Sequence, residues 1–281
     1  MPAAGPKRHP SADNTARWGR LLSSNSSLVI PWVRQLAAHQ LINNVNSGDP
    51  TAAAALAAAY RPDLPPSVSE IIRNILLSIT QSKLITAVWQ VWSDSRSEQL
   101  LDILRQINRP ASGSPELQVL SLIILNQQKQ LHNLDPKFMD GLVSAINDRD
   151  PRIADMAKQV ALAFQETNQI NALGERWLTS RSPRLEEILK SHNVLPSSPP
   201  AVWLLTRLKF GDLESVRRLP VEAVPALISA QNDLDAEIRS RASACLVSIS
   251  NQDSIDEVCA IWVSTRKKQL AEVIHQGNYL A

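Results

Sequence analysis

The stretch that decides the fold is WLTSRSPRLEEIL, residues 177–189, read as Trp177-Leu-Thr-Ser-Arg181-Ser-Pro-Arg-Leu185-Glu-Glu-Ile-Leu189. The same arrangement stands at Trp92, Arg96, Leu100 and Leu104, and again at Trp262, Arg266, Leu270 and Ile274, with 85 residues between successive copies. Self-similarity at a fixed spacing is the mark of a repeat architecture, in which one supersecondary unit is copied and stacked.

The register continues on both sides of the motif. Asn147, Asp148, Asp150, Ile153 and Ala157 reappear as Asn232, Asp233, Asp235, Ile238 and Ala242, and Pro115 as Pro200, all at the same offset. A fainter copy upstream, from Leu56 to Ile79, sets Asp63 and Val68 opposite Asp148 and Ile153. Within each copy the apolar residues follow helical spacing: Leu185, Ile188 and Leu189 fall at i, i+3 and i+4, as do Leu100, Ile103, Leu104 and Leu270, Val273, Ile274. Alternating strand patterns are missing and aromatic residues make up only 4%. The expectation is an all-α fold of about three 85-residue units, each holding four to six short antiparallel helices.

Punctuation refines the reading. Ser95, Ser180 and Thr265 place a hydroxyl just before each leucine ladder, where an N-cap is expected, and Ser95 with Glu98 fits a capping box. Asn108, Asn193 and Asn278 occupy equivalent positions suited to a left-handed helix end. Proline-rich stretches, 110–115 and 196–200, separate the units, and the run TAAAALAAAY (51–60) reads as a tightly packed helix.

Composition bounds the function. Of 281 residues, 44% are hydrophobic and 20% charged, with a net charge of +2. Residues 1–49 hold five of the 29 basic and two of the 27 acidic side chains, so 24 and 25 remain beyond and the body is near neutral. That balance disfavours nucleic acid as a partner, because a duplex binder concentrates basic charge. The apolar runs, such as Val119 to Leu125, fall far short of the roughly 20 residues that span a bilayer, so no membrane segment is expected. Residues 1–15, MPAAGPKRHPSADNT, lack the apolar core of a secretory signal and read as a flexible tail. Two thiols, Cys245 and Cys259, suit a reducing compartment, and a cytoplasmic location is expected.

Candidate chemistry is sparse. The five histidines (His9, His39, His132, His192, His275) are scattered outside any HExxH, and the eight glycines form no phosphate-binding loop and no GxSxG. The Asn-Asp-x-Asp stretches at 147–150 and 232–235 lack the Gly and Glu of a calcium loop and read as turns and N-caps. Glu186-Glu187 reads as a solvated helix face rather than an acid/base pair. No catalytic residue, metal site or cofactor is expected. Trp92, Trp177 and Trp262 are expected to fill grooves between hairpins with their indole N–H on backbone carbonyls. Trp89 and Trp203 have no Trp counterpart. Arg96, Arg181 and Arg266, four residues after each Trp, either stack on the indole or cap the preceding helix, and as partner-binding residues they would form a ladder for an acidic surface.

From Leu227 to Ser250 the pattern of an apolar helix, an Asp-containing turn, Ile238-Arg239 and Ala242 resembles a HEAT repeat. The second copy departs from it, with Ala154 where the Arg belongs. The Trp-x-x-x-Arg-x-x-x-Leu helices also resemble helical arrays in large bacterial proteins that accompany β-propeller or signalling modules, and a chain stopping at Ala281 would be a piece or a stand-alone relative of such an array. The resemblance implies an α-solenoid of HEAT-like hairpins over residues 16–281, coiled into a right-handed superhelix. It implies a non-enzymatic scaffold that binds a protein or peptide along its concave face, with homo-oligomerisation open through an uncapped end. Two alternatives follow from the same likeness: an enzyme subunit similar to phycobilin lyases or DNA glycosylases, and an architectural spacer.

Overall fold

The structure, a computed structural model, describes residues 12–24, 31–192 and 194–279. They form eighteen α-helices and two 3-10 turns, with no strand among the described residues, as an all-α protein requires. Chain contacts cluster into two compact units, Met1–Asn133 and Leu134–Ala281, where the sequence suggests one array.

The first unit carries α1 (Ala12–Ser23), α2 (Pro31–Asn46), α3 (Pro50–Ala59), α4 (Pro66–Ser78), α5 (Ser82–Ser95), α6 (Glu98–Ile107), α7 (Pro115–Ile124) and α8 (Gln128–His132). The second carries α9 (Met139–Ile146), α10 (Pro151–Leu162), α11 (Thr167–Ser180), α12 (Pro183–Ser191), α13 (Pro200–Phe210), α14 (Leu213–Arg217), α15 (Val224–Ala230), α16 (Ala236–Val247), α17 (Gln252–Thr265) and α18 (Lys268–Gln276). The period seen in the residues is also the period of the helices. Helices begin at 66, 151 and 236, at 82, 167 and 252, and at 98, 183 and 268, each series stepping by 85. The starts of α7 and α13, α8 and α14, and α9 and α15 differ by the same amount.

Packing repeats with them. In the first unit α3 and α4 form one hairpin and α5 and α6 the next, with α3 against α5 and α4 against α6. In the second unit α9/α10 stacks on α11/α12, and α15/α16 on α17/α18, first helix on first and second on second. Each unit therefore contains two layers of helices, and the helix α13 touches α11, α15 and α16 to bridge the two hairpin pairs of the second unit. A short amphipathic helix has no stability of its own in water, so the apolar stripe of each hairpin is stabilised by the neighbour that covers it. The equivalent residues show it: Val68, Ile153 and Ile238 are buried, as are Leu100, Leu185 and Leu270, and Leu104, Leu189 and Ile274.

Local chemistry fixes the helix starts. Pro50, Pro66, Pro115, Pro151, Pro183 and Pro200 stand at the first helical position, where the missing N–H leaves nothing unsatisfied. Asp49, Asp150 and Asp235 accept from Thr51, Arg152 and Glu237 backbone N–H, each at 2.9 Å. Asp148 and Asp233 serve the turns before them, accepting from Asp150 N and Asp235 N at 2.9 Å. The Asn-Asp-x-Asp stretches are thus turn and cap elements, as their residue types suggest. The alanine run follows from position: α3 is crossed by α1, α2, α4 and α5, so it is apolar on every side, and Ala52, Ala53, Ala57 and Ala59 are buried.

Four expectations need correction. Ser95, Ser180 and Thr265 end helices rather than begin them. Ser180 and Thr265 donate to the carbonyls of Arg176 and Ile261, four residues back, at 2.7 Å. The N-cap of α6 is Ser97, whose Oγ accepts from Leu100 N at 3.4 Å, so Ser95 and Glu98 form no capping box. Of the supposed tail, residues 1–11 lie outside the described residues, but Ala12–Thr15 open α1, and Thr15 is buried with its hydroxyl donating to Asp49 at 3.1 Å. Finally, the Trp92 Nε1 is buried without a hydrogen-bond partner, and it is the neighbouring Trp89 whose indole donates to a carbonyl, Arg109 O at 2.9 Å. Asn108 and Asn278 have positive φ, 50° and 56°, as expected of left-handed helix ends, and Asn193 lies outside the described residues.

Candidate functional site

The three copies of the opening motif share one construction. In each, the helix ends on an arginine in the left-handed conformation: φ is 54° at Arg96, 51° at Arg181 and 54° at Arg266. The backbone N–H of each arginine donates to the carbonyl of its tryptophan at 2.7 Å, closing the last turn of α5, α11 and α17 on Trp92, Trp177 and Trp262. The reversed backbone returns the side chain over the ring, with guanidinium carbons 4.9, 5.0 and 5.2 Å from the three ring centroids. A side chain at positive φ costs roughly 1 kcal/mol that glycine avoids, and a cation over an indole returns a comparable 0.5–1 kcal/mol at an exposed site. The stacking proposed from the sequence is present in all three copies, and the helix end is closed by the backbone N–H of the arginine. The very next residues, Ser97, Ser182 and Lys267, stand at the N-cap of the next helix, so the Trp–Arg corner sets the entry of α6, α12 and α18.

The three corners differ in exposure. Trp92 and Trp177 are buried and Trp262 is half-buried. The side chains of Arg96 and Arg266 belong to exposed residues, while that of Arg181 is 32% exposed and its Nη2 lies 2.7 Å from Asp233 Oδ2. Asp233 is itself the turn aspartate before α16, with its side chain only 9% exposed. Arg181 thus ties the end of α11 to the α15–α16 turn, and its Nη1 is buried with no hydrogen-bond partner. Trp177 is flanked by Phe210, with ring centroids 6.2 Å apart. In the first unit Trp92 meets Trp89 edge-on at 5.4 Å.

Other charged groups were not legible as a set. Lys209 Nζ on α13 sits 2.7 Å from Asp235 and 3.5 Å from both Glu186 on α12 and Glu237 on α16, with 15% of its side chain exposed. The hydrogen bond from Lys209 holds the Asp235 carboxyl below the usual carboxylate range, and the same bond raises the lysine. Arg241 joins this cluster through Glu237 at 2.6 Å and the carbonyls of Leu208 and Lys209, each at 2.7 Å. Glu186 and Glu187, which read as a solvated pair, point to different cations: Glu186 to Lys209, and Glu187 to Lys158 at 2.7 Å. Trp203 carries Arg207 over its ring at 4.6 Å, a stack within one helix that repeats the Trp–Arg pairing without the corner. Among the described residues no three His, Cys, Asp or Glu side chains stand together as metal ligands. No described helix is long and apolar enough to cross a membrane. No protein-family model matches the chain, and no curated protein matches it.

Proposed function

We propose that the chain is a HEAT-like α-solenoid working as a non-catalytic scaffold, which binds an acidic protein or peptide through Arg96, Arg181 and Arg266. The observation that carries this reading is the identical construction of three arginine corners at an 85-residue period. A stacked array repeats the same feature in every copy, and guanidinium groups held over indoles are preorganised donors for carboxylates. Arg96 and Arg266 are exposed, and Arg181 is half-buried and held by Asp233 at 2.7 Å. A cytoplasmic location and a HEAT-type concave binding face belong to the same reading.

The test is affinity capture from the native host with the intact chain as bait, comparing wild type with the triple change R96Q/R181Q/R266Q after circular dichroism shows that both are folded. The expected result is loss of the partners that wild type retains. An unchanged bound set removes the arginines from the binding surface.

A further inference from the structure

Two of the three Trp–Arg helices carry the same kind of cover. On α5, Thr86 Oγ1 accepts from Ser112 N at 2.9 Å. On α11 the equivalent residue, Asn171, accepts through Oδ1 from Ser197 N, the equivalent of Ser112, at 2.8 Å and from Ser198 N at 3.3 Å. Three residues further along, Trp89 donates to Arg109 O at 2.9 Å, while a Cβ on its counterpart Gly174 would stand 2.5 Å from Val202 Cγ1. Each pinned stretch runs into a helix that opens on proline, α7 at Pro115 and α13 at Pro200, and α7 packs on α5 as α13 packs on α11. The cover is therefore a serine-containing stretch held by one short polar side chain, followed by a largely apolar helix of ten or eleven residues.

The third copy keeps the receiving half of this arrangement. Like α5 and α11, α17 has fourteen residues, an extended N-cap and a left-handed arginine at its end. The chain leaves α18 through Asn278 at φ 56°, as it leaves α6 through Asn108 at φ 50°. Asp256 stands in the place of Thr86 and Asn171 and is exposed. Its Oδ1 accepts from Gln252 of the same helix at 2.9 Å, and a carboxylate has acceptor capacity beyond that. Cys259 and Trp262 are half-buried where Trp89, Gly174, Trp92 and Trp177 are buried, and Val263 is 54% exposed. Cys259 lies between Gly174 and Trp89 in size, within the range that the cover already accommodates.

We propose that this face of α17 binds a partner helix of the α7 and α13 kind: a small residue offers its backbone N–H to Asp256, and a proline-started apolar helix then covers Cys259, Trp262 and Val263. Burial of the apolar row supplies the drive, in the manner of a helix laid into a groove. The carboxylate is a stronger acceptor for that N–H than the hydroxyl of Thr86 or the amide of Asn171. A second copy of the chain has no such helix to offer, because its own α7 and α13 are already packed on α5 and α11 with their apolar residues buried. The inference is separate from the arginine reading, since no guanidinium takes part in it.

The experiment is NMR titration of the intact chain with two synthetic peptides, residues 110–126 and 195–211 of this sequence, each carrying a pinned stretch and its helix. The expected result is binding of at least one peptide, with shifts centred on Asp256, Cys259 and Val263 and slower alkylation of the Cys259 thiol. Asp256→Ala should weaken that binding about tenfold, the effect of one hydrogen bond to a charged group. Val263→Asp, at an exposed position, should abolish it while circular dichroism shows an unchanged fold. Failure of both peptides to bind overturns the proposal, as does binding that shifts other residues or survives either substitution at full strength. Sedimentation of the chain alone is expected to show a monomer. A dimer that Val263→Asp dissociates would overturn the proposal in favour of a second copy on this face.

Discussion

Arg181 sits over the ring of Trp177 at 5.0 Å while its own N–H closes the helix on the Trp177 carbonyl at 2.7 Å, so one residue both ends α11 and covers the side chain that anchors it. The pairing explains why an arginine occupies a backbone conformation that favours glycine. Its positive φ is tolerated because the side chain leaves the helix axis toward the indole.

That account separates two substitutions that a contact list would treat alike. Arg181→Gly and Arg181→Ala both lose the stack and the Asp233 ion pair, but only alanine keeps the strain of positive φ. Urea unfolding is expected to place R181A about 1 kcal/mol below R181G. The same order is expected at Arg96 and Arg266, since φ there is 54° at both. Equal stability of the two variants would mean that the left-handed corner is not formed in solution.

Moving the cap from Ser95 to Ser97 has its own consequence. Ser97→Ala removes the acceptor for Leu100 N and should cost about 1 kcal/mol, the usual effect of deleting an N-cap hydroxyl. Ser95→Ala loses the long 3.4 Å bond from Ser97 N to its exposed Oγ and should cost less, under about 0.5 kcal/mol. Thermal denaturation of the two variants checks the order.

Acid sensitivity is expected to pass through Asp235. Its carboxyl is held below the ordinary value of 3.8, first by the hydrogen bond from Lys209, so the folded state binds its proton less readily than the unfolded state. The stabilisation is complete above that ordinary value and is lost as the pH falls through the lowered one. Asp235→Asn keeps an N-cap acceptor but removes the charge. Its melting temperature should lie below that of wild type near pH 7, and the gap should narrow as the pH falls below about 4. A gap that stays constant over that range would show that the Lys209 pair contributes nothing.

The 85-residue period and the helical nature of the chain were legible because they rest on apolar spacing, which burial alone enforces. The Asn-Asp-x-Asp turns were legible for a similar reason, since short carboxylates satisfy nearby N–H groups wherever helices begin. Helix ends were harder. Ser180 and Thr265 carry the residue types of an N-cap but donate to the carbonyl four residues back, an option open to any hydroxyl on a helix. Nothing in an arginine announces a positive φ; the only trace was its fixed distance from a tryptophan. The Lys209 cluster joins residues 186, 209, 235 and 237 from three helices and has no counterpart in the other copies, so periodicity gave no hint of it.

The most direct test of the central claim, that the Trp–Arg corner is one structure built three times, is NMR of Arg96, Arg181 and Arg266 in the intact chain. Backbone carbon shifts and amide couplings are predicted to report the left-handed conformation at all three residues, with their side-chain methylene protons displaced upfield by the indole rings. An arginine with helical or extended backbone values, or methylene protons at their ordinary positions in any copy, would contradict it.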